Sequence, residues 1–145
     1  MKLQHSAKHA VGLSLLLAAG FVHAQGAANY PNKAIRVIVP FAAAGTTDIV
    51  ARAVGAEMTK AWGQSVLVEN RPGAGGNLGS DMVAKAAPDG YTLLVGAVSP
   101  QAINVTLYPD IPYNVMRDFE HITLLAAVPN VLEVHPSVPV RTVKE

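Results

Sequence analysis

No cysteine occurs among the 145 residues. That absence excludes a disulfide framework and leaves no lipobox thiol to carry a lipid anchor. Charge is scarce as well, with 11 Lys and Arg set against 10 Asp and Glu, interspersed along the chain. Without a basic stripe there is no surface suited to nucleic acid or to an anionic membrane. Near the start, the uncharged apolar run Ala10–Phe21 has 12 residues, short of the roughly 20 that a membrane-spanning helix needs.

Catalytic patterns are equally thin. The stretch Asn70–Gly79 reads NRPGAGGNLG, which invites comparison with phosphate cradles. A P-loop requires a lysine after its last glycine, and counting on from Gly75 or Gly76 reaches Ser80 or Asp81 with no lysine. A dinucleotide fingerprint would begin at Gly73-Ala74-Gly75 but meets Leu78 where its final glycine belongs, and the stretch follows the second apolar run, not the first. Ser80 and Ser99 lack the G-x-S-x-G elbow of an α/β-hydrolase. His121 and His135 have no cysteine, carboxylate pair or second histidine at ligand spacing, so no metal and no cofactor are expected. Asp48 could act as a general base, although stabilisation of a helix N-terminus explains it equally well. Asn104-Val105-Thr106 has the form of a glycosylation sequon.

What is present begins with a leader. Lys2 and Lys8 precede the apolar run, and Val22-His23-Ala24 places small residues before Gln25. This is the layout of a secretory signal peptide cleaved after Ala24. Removing it leaves 9 basic and 10 acidic residues, a net charge near −1. The expectation is a bacterial periplasmic protein with one modest core in residues 25–145.

Three apolar runs recur: Ile35–Val39, Val66–Val68 and Tyr91–Val95. They are short, β-branched and largely continuous, as in strands buried on both faces of a parallel sheet. Between the first two, Val50, Ala53, Val54, Met58, Ala61 and Trp62 fall at helical spacing, with Thr46 or Thr47 as N-cap and Gly63 as terminator. A second helix is expected from Asn77 to Ala87, burying Leu78, Met82, Val83 and Ala86, before the turn Pro88-Asp89-Gly90. The order β-α-β-α-β predicts right-handed crossovers and a doubly wound α/β layer. Beyond Ser99 a helical turn is expected near Ile103–Leu107, then extended pieces at Ile122–Val128 and Val131–His135. Thr142–Glu145 reads as the cap and first turn of a helix, and a sequence that stops as a helix begins reads as a fragment.

In an open parallel sheet, ligands collect at the carboxyl ends of the strands. Three loops lie there: Pro40–Asp48, Asn70–Gly79 and Gly96–Ser99. All are small and nearly uncharged, so an anion there would be held by backbone amides and hydroxyls instead of arginine. For the glycine-rich loop, a tight turn with close helix–strand packing is the competing reading.

Taken together, YPNKAIRVIVPF from Tyr30, Asp48-x-x-Ala51-Arg52, GQSVLVENRPGAGGNLGSDMVAKAAPDGYTLL and LYPDIPYNVMRDFEHITLLA closely resemble the Bug-type extracytoplasmic solute receptors of tripartite tricarboxylate transporters. The resemblance runs from about Tyr30 to the end of the chain. It implies a type II periplasmic binding protein-like fold with two domains, of which this chain holds part of the first, with the interdomain crossover near 126–135. It also implies capture of a small organic carboxylate for membrane permease subunits, by a protein that is monomeric when full length. Carried onto this sequence, the pocket residues would be Ala43, Ala44, Gly45, Thr46 and Asp48 in the first loop, Gly73, Ala74, Gly75, Gly76 and Asn77 in the second, and Ala97 and Ser99 in the third. The family's first loop commonly reads Pro-Phe-x-Pro-Gly-Gly, whereas Ala43 and Ala44 stand here. Loss of a glycine at 44 predicts an altered loop geometry. Family members are about twice as long, so a non-binding fragment is the alternative, and an exported α/β hydrolase a more distant one.

Overall fold

The computed structural model describes residues 29–129 and 131–145, so the expected leader lies outside them. Ala34–Glu145 forms one folded unit. Four of the five residues in Ile35-Arg36-Val37-Ile38-Val39 are β-branched and fit a pleated, packed surface. They form β1 (Ile35–Val39), followed by α1 (Thr46–Trp62), β2 (Val66–Asn70), α2 (Asn77–Ala84) and β3 (Thr92–Leu94). All pairing is parallel, in the order β2-β1-β3, with Ile35 opposite Val66 and Arg36 opposite Thr92. This is the expected β-α-β-α-β layer, with β1 at its centre.

Ile35, Val37, Ile38 and Val39 are essentially inaccessible. Burial on this scale stabilises each by about 2 kcal/mol. Ile35, Val37 and Val39 form one core with Ala51 of α1, flanked by Val66, Val68, Leu93 and Phe41. Ile38 points to the opposite face, and α2 packs against β1 and β3.

The inward faces of both helices differ from those expected. In α1 the buried positions are Asp48, Ala51 and Gly55, while Trp62 is 43% exposed. A Cβ on Gly55 would sit 3.2 Å from Val66 Cγ1, so the helix rides close to β2. In α2, which stops at Ala84 instead of Ala87, the buried residues are Asn77, Gly79 and Ser80, while Leu78 is 55% exposed. Close approach admits only small side chains at the seam and turns larger apolar ones aside. Periodicity alone gives these their usual place in the core. The N-cap of α1 is Gly45 and not a threonine, but Gly63 ends the helix as expected, left-handed at φ 66°.

On the face of the sheet carrying Ile38, Arg36 Nε and Nη2 donate to Glu69 Oε1 and Oε2 at 2.8 and 3.0 Å, and Arg71 Nη2 adds a 2.9 Å bond. Hydrogen bonds from Arg36 first and Arg71 second lower the Glu69 carboxyl to a pKa of about 2.

After β3, a π-helical turn (Ser99–Ile103) runs directly into α3 (Asn104–Leu107), which extends the helical turn expected there. Tyr113 and Val115 return to the interior, and Tyr113 meets Phe119 edge-on at 5.7 Å. The extended pieces expected after Ile122 form no strand among the described residues, and Ile122, Leu124, Val131 and Leu132 are largely exposed. They have no hydrogen-bonded neighbour strand in the described chain. Thr142–Glu145 is a hydrogen-bonded turn, Glu145 N–H to Thr142 O at 3.3 Å, and not a helix. Among the described residues, no helix is long and apolar enough to cross a membrane.

Candidate functional site

Because the strands are parallel, the loops after β1, β2 and β3 gather at one edge of the sheet. In the order β2-β1-β3 the chain passes from β1 outward to β2 and then crosses back over β1 to β3, so loops on both sides of β1 end at this edge. The loops meet around Gly76. A Cβ on Gly76 would lie 3.1 Å from Pro100 Cγ and 3.2 Å from Phe41 Cζ, so a side chain would force apart the first loop and the turn that follows the third.

Of the twelve residues expected in the pocket, Ala43, Ala44, Gly45, Thr46, Gly73, Ala74 and Gly75 are exposed, and Ala97 and Ser99 are half-buried. Asp48, Gly76 and Asn77 are buried. The rim is therefore made of backbone and small side chains. The amides of Thr46 and Thr47, at the first turn of α1, have no intrahelical acceptor.

Asp48, only 3% exposed, ties the first loop to the second. Its Oδ2 accepts Ala44 N–H at 2.8 Å and Arg52 Nε at 3.1 Å, and its Oδ1 accepts Asn70 Nδ2 and Arg52 Nη2, both at 3.0 Å. Asn70 Nδ2 also reaches Phe41 O at 3.1 Å, and Asn70 Oδ1 accepts from Arg52 Nη2 at 3.0 Å. The hydrogen bonds from Arg52 first, and from the Ala44 amide second, outweigh burial and hold the carboxyl at a pKa of about 2. A carboxylate with four donors and so low a pKa is a weak base. Its visible work is to shape the loop.

Ala44 shows the result. Its φ is 67°, in the left-handed region, so the loop keeps a glycine-like geometry despite the alanine. Positive φ, which an alanine at 44 is expected to forgo, is present, and the Asp48 carboxylate holds the residue's own N–H in place. Left-handed backbone costs an L-residue about 1 kcal/mol. Ala44→Gly is accordingly expected to stabilise the fold by about 1 kcal/mol, an upward shift of about 4 °C in thermal melting. An unchanged or lower melting temperature would contradict this.

Asn77 turns its side chain inward as well. Its Oδ1 accepts from Asn104 Nδ2 at 2.6 Å and lies 3.0 Å from the Tyr113 hydroxyl, which is also 2.9 Å from Pro100 O. Asn104 is thereby buried and committed, which removes it as an exposed sequon asparagine. Reading the sequence alone missed Asn70, Arg52, Asn104 and Tyr113. No local pattern marks them, since their partners lie 13 to 36 residues away, apart from the Arg52–Asp48 helical pair.

His121 is exposed, and His135 Nδ1 lies 2.7 Å from Ser137 Oγ. Among the described residues no cluster of three or more His, Cys, Asp or Glu is placed to hold a metal. Two grooves lie away from the rim. One of about 260 Å³ runs between α1 and β2 beside Gly55 and Val66, and one of about 440 Å³ lies between Gln101 and Met116.

The parallel α/β core gathers small-residue loops at its carboxyl edge, where ligands bind in open sheets of this kind. Comparison with known proteins makes the class specific: the Tripartite tricarboxylate transporter family receptor pattern matches residues 50–145, and the chain belongs to that family. It is 43% identical over 119 residues to Protein BugT of Bordetella pertussis, covering 81% of this chain and 36% of that one. It is 46% identical over 106 residues to a protein from the TAR-I ttuE-ttuC' intergenic region of Agrobacterium vitis, covering 73% and 30%. Among solved structures, MatC from Rhodopseudomonas palustris with bound malate aligns at a TM-score of 0.60 and 47% identity, over 62% of this chain and 31% of that one. R. palustris Rpa4515 with adipate aligns at 0.58 and 36% identity, over 60% and 29%. The chain thus spans about a third of the length of these relatives.

Proposed function

We propose that this protein is a periplasmic receptor that captures a small organic carboxylate and presents it to the permease of a tripartite tricarboxylate-type transporter. The observation that carries this reading is the uncharged, accessible rim of Ala43–Thr46, Gly73–Gly75 and Ala97–Ser99 at the carboxyl edge of the sheet. Malate and adipate are held by two similar proteins. Both ligands are dicarboxylates, and exposed backbone amides at the start of a helix favour an anion through hydrogen bonds and the helix dipole. Asp48 and Asn77 serve the same site from beneath, the first fixing Ala44 and the second the glycine turn. Their side chains stay off the ligand, and no fixed cation is needed at the rim.

The test is thermal melting of the purified protein against malate, adipate and related acids. A ligand at a hundred times its Kd stabilises the folded state by about 2.7 kcal/mol, a rise of several degrees. A panel of mono-, di- and tricarboxylates that leaves melting unchanged would sink the proposal.

A further inference from the structure

The residues Gly73, Ala74, Gly75 and Gly76 all have positive φ, at 140°, 48°, 64° and 96°. Four such residues in succession are a costly conformation, and in a free chain a glycine-rich segment has many alternatives. Inside the turn, Gly76 N–H reaches Gly73 O at 2.9 Å, and Leu78 N–H reaches the same oxygen at 3.4 Å. Pro100, Phe41 and Leu78 pack against it, and a polar relay adds further support.

Asn104 Nδ2 donates to Gly75 O at 3.2 Å and to Asn77 Oδ1 at 2.6 Å. Because the Gly75 carbonyl can only accept, the Asn104 atom facing it is the nitrogen, and the Asn77 atom facing that nitrogen is the oxygen. The Tyr113 hydroxyl then meets two acceptors, Asn77 Oδ1 and Pro100 O, with one proton to share, and the buried Ser80 side chain lies beside it. Tyr113 is buried and its ring is held edge-on by Phe119. The order of constraint is therefore Tyr113, Asn77, Asn104, Gly75. It joins the segment after the third loop to the backbone of the second across 36 residues of sequence.

We propose that Tyr113 is a positioning residue: through Asn77 and Asn104 it fixes the left-handed turn Gly73–Gly76 in the shape it takes at the carboxyl edge of the sheet, and so sets the affinity of the rim for a carboxylate. The affinity half of this statement rests on the receptor reading above, whereas the shape half does not. The chemistry is selective. Removing the hydroxyl leaves Asn77 Oδ1 with Asn104 Nδ2 as its donor, takes the same proton from Pro100 O and loosens one end of the relay, without opening an apolar cavity.

The test combines amide hydrogen exchange with malate binding in Tyr113→Phe, Asn77→Leu and Asn77→Asp. Asn77→Asp keeps an acceptor oxygen for both donors, so it is the conservative rescue. Exchange at Gly76 is expected to quicken about tenfold in Tyr113→Phe and Asn77→Leu and to stay slow in Asn77→Asp. Gly63, whose N–H bonds Thr59 O at 3.0 Å at the far end of α1, serves as the internal reference and should not change. The Kd for malate should rise about tenfold in Tyr113→Phe. Unchanged exchange at Gly76 overturns the proposal, as does equal quickening at Gly63 and Gly76, which would mean general loosening. Equal malate affinity in wild type and Tyr113→Phe overturns it too. If the wild type does not bind malate, that result counts against the receptor reading, and the exchange comparison alone decides whether Tyr113 shapes the turn.

Discussion

Replacing Gly79 by alanine is expected to destabilise the protein by about 2 kcal/mol, even though alanine is the better helix former. The two effects oppose each other and their sizes decide the outcome. In a helix interior, Gly→Ala gains about 1 kcal/mol. At position 79, however, the new Cβ would lie 2.8 Å from Arg71 O, 2.8 Å from Pro40 Cβ and 2.9 Å from Pro40 Cα. Two of those atoms belong to backbone, and Pro40 is itself fully buried, so nothing nearby is free to yield. Overpacking of this kind costs about 1–3 kcal/mol, and rigid neighbours put it at the upper end. Gly55→Ala is the control. There the nearest atom is the Val66 Cγ1 methyl at 3.2 Å, which has room to move, and the helix-propensity gain should cancel the strain. Urea unfolding of both variants reads the difference. A Gly79→Ala midpoint at or above the wild-type value would show that α2 does not sit as close to the first loop as described.

The second large effect is at Asp48. Asp48→Ala removes the acceptor from the Ala44 amide, from one side of Asn70 and from both arms of Arg52. The melting temperature should fall by roughly 8 °C, in the range of lost buried networks. Asp48→Asn keeps part of the pattern and should fall less. The pH dependence has a definite sign. The folded-state pKa lies below the ordinary aspartate value of 3.8, at about 2, so the contribution is complete above pH 4 and is lost as pH falls through that window. Glu69, lowered from 4.5 to about 2 by its arginines, acts in the same direction. Wild-type stability should therefore decline between about pH 4.5 and 2, and Asp48→Ala should show a shallower decline. An equal slope in both proteins would remove Asp48 from the explanation.

How far the sequence determines this picture depends on the range of the interactions. β1 was legible to the residue, since its β-branched run has no competing reading, and the parallel pairing followed from the continuous apolar runs with helices between them, whereas the order β2-β1-β3 did not. The buried sides of the helices were not. Trp62, Leu78 and Met82 have the hydrophobicity of core residues, but Gly55 and Gly79 bring the helices too close for them to fit. Whether a glycine marks flexibility or contact is invisible until its neighbour is known. The loops at the sheet edge could be located in advance because parallel topology puts them there. The bonds that shape them could not. Asn70, Asn104 and Tyr113 are ordinary polar residues whose partners lie well away in sequence. The segment after Ile122 looks extended in sequence and is without strand pairing among the described residues, since an apolar run alone supplies no neighbour to pair with.

The arginine–glutamate fork on the sheet has a bearing on errors in folding. Shifting β2 by one residue against β1 would turn Val66 and Val68 out of the core, so hydrophobicity already forbids it. A shift by two residues is harder to exclude, because it keeps every side chain on its proper face. Arg36 reaches diagonally to Glu69, which is paired with Ile38; sliding β2 so that Ser65 faces Arg36 would set Leu67 in that diagonal place and carry the carboxylate away, whereas the opposite slide would bring Glu69 directly beside Arg36. The exposed ion pair adds little to the depth of the native well. It instead raises the energy of one of the two misregistered sheets that the apolar pattern would tolerate, so its value lies in a state it prevents.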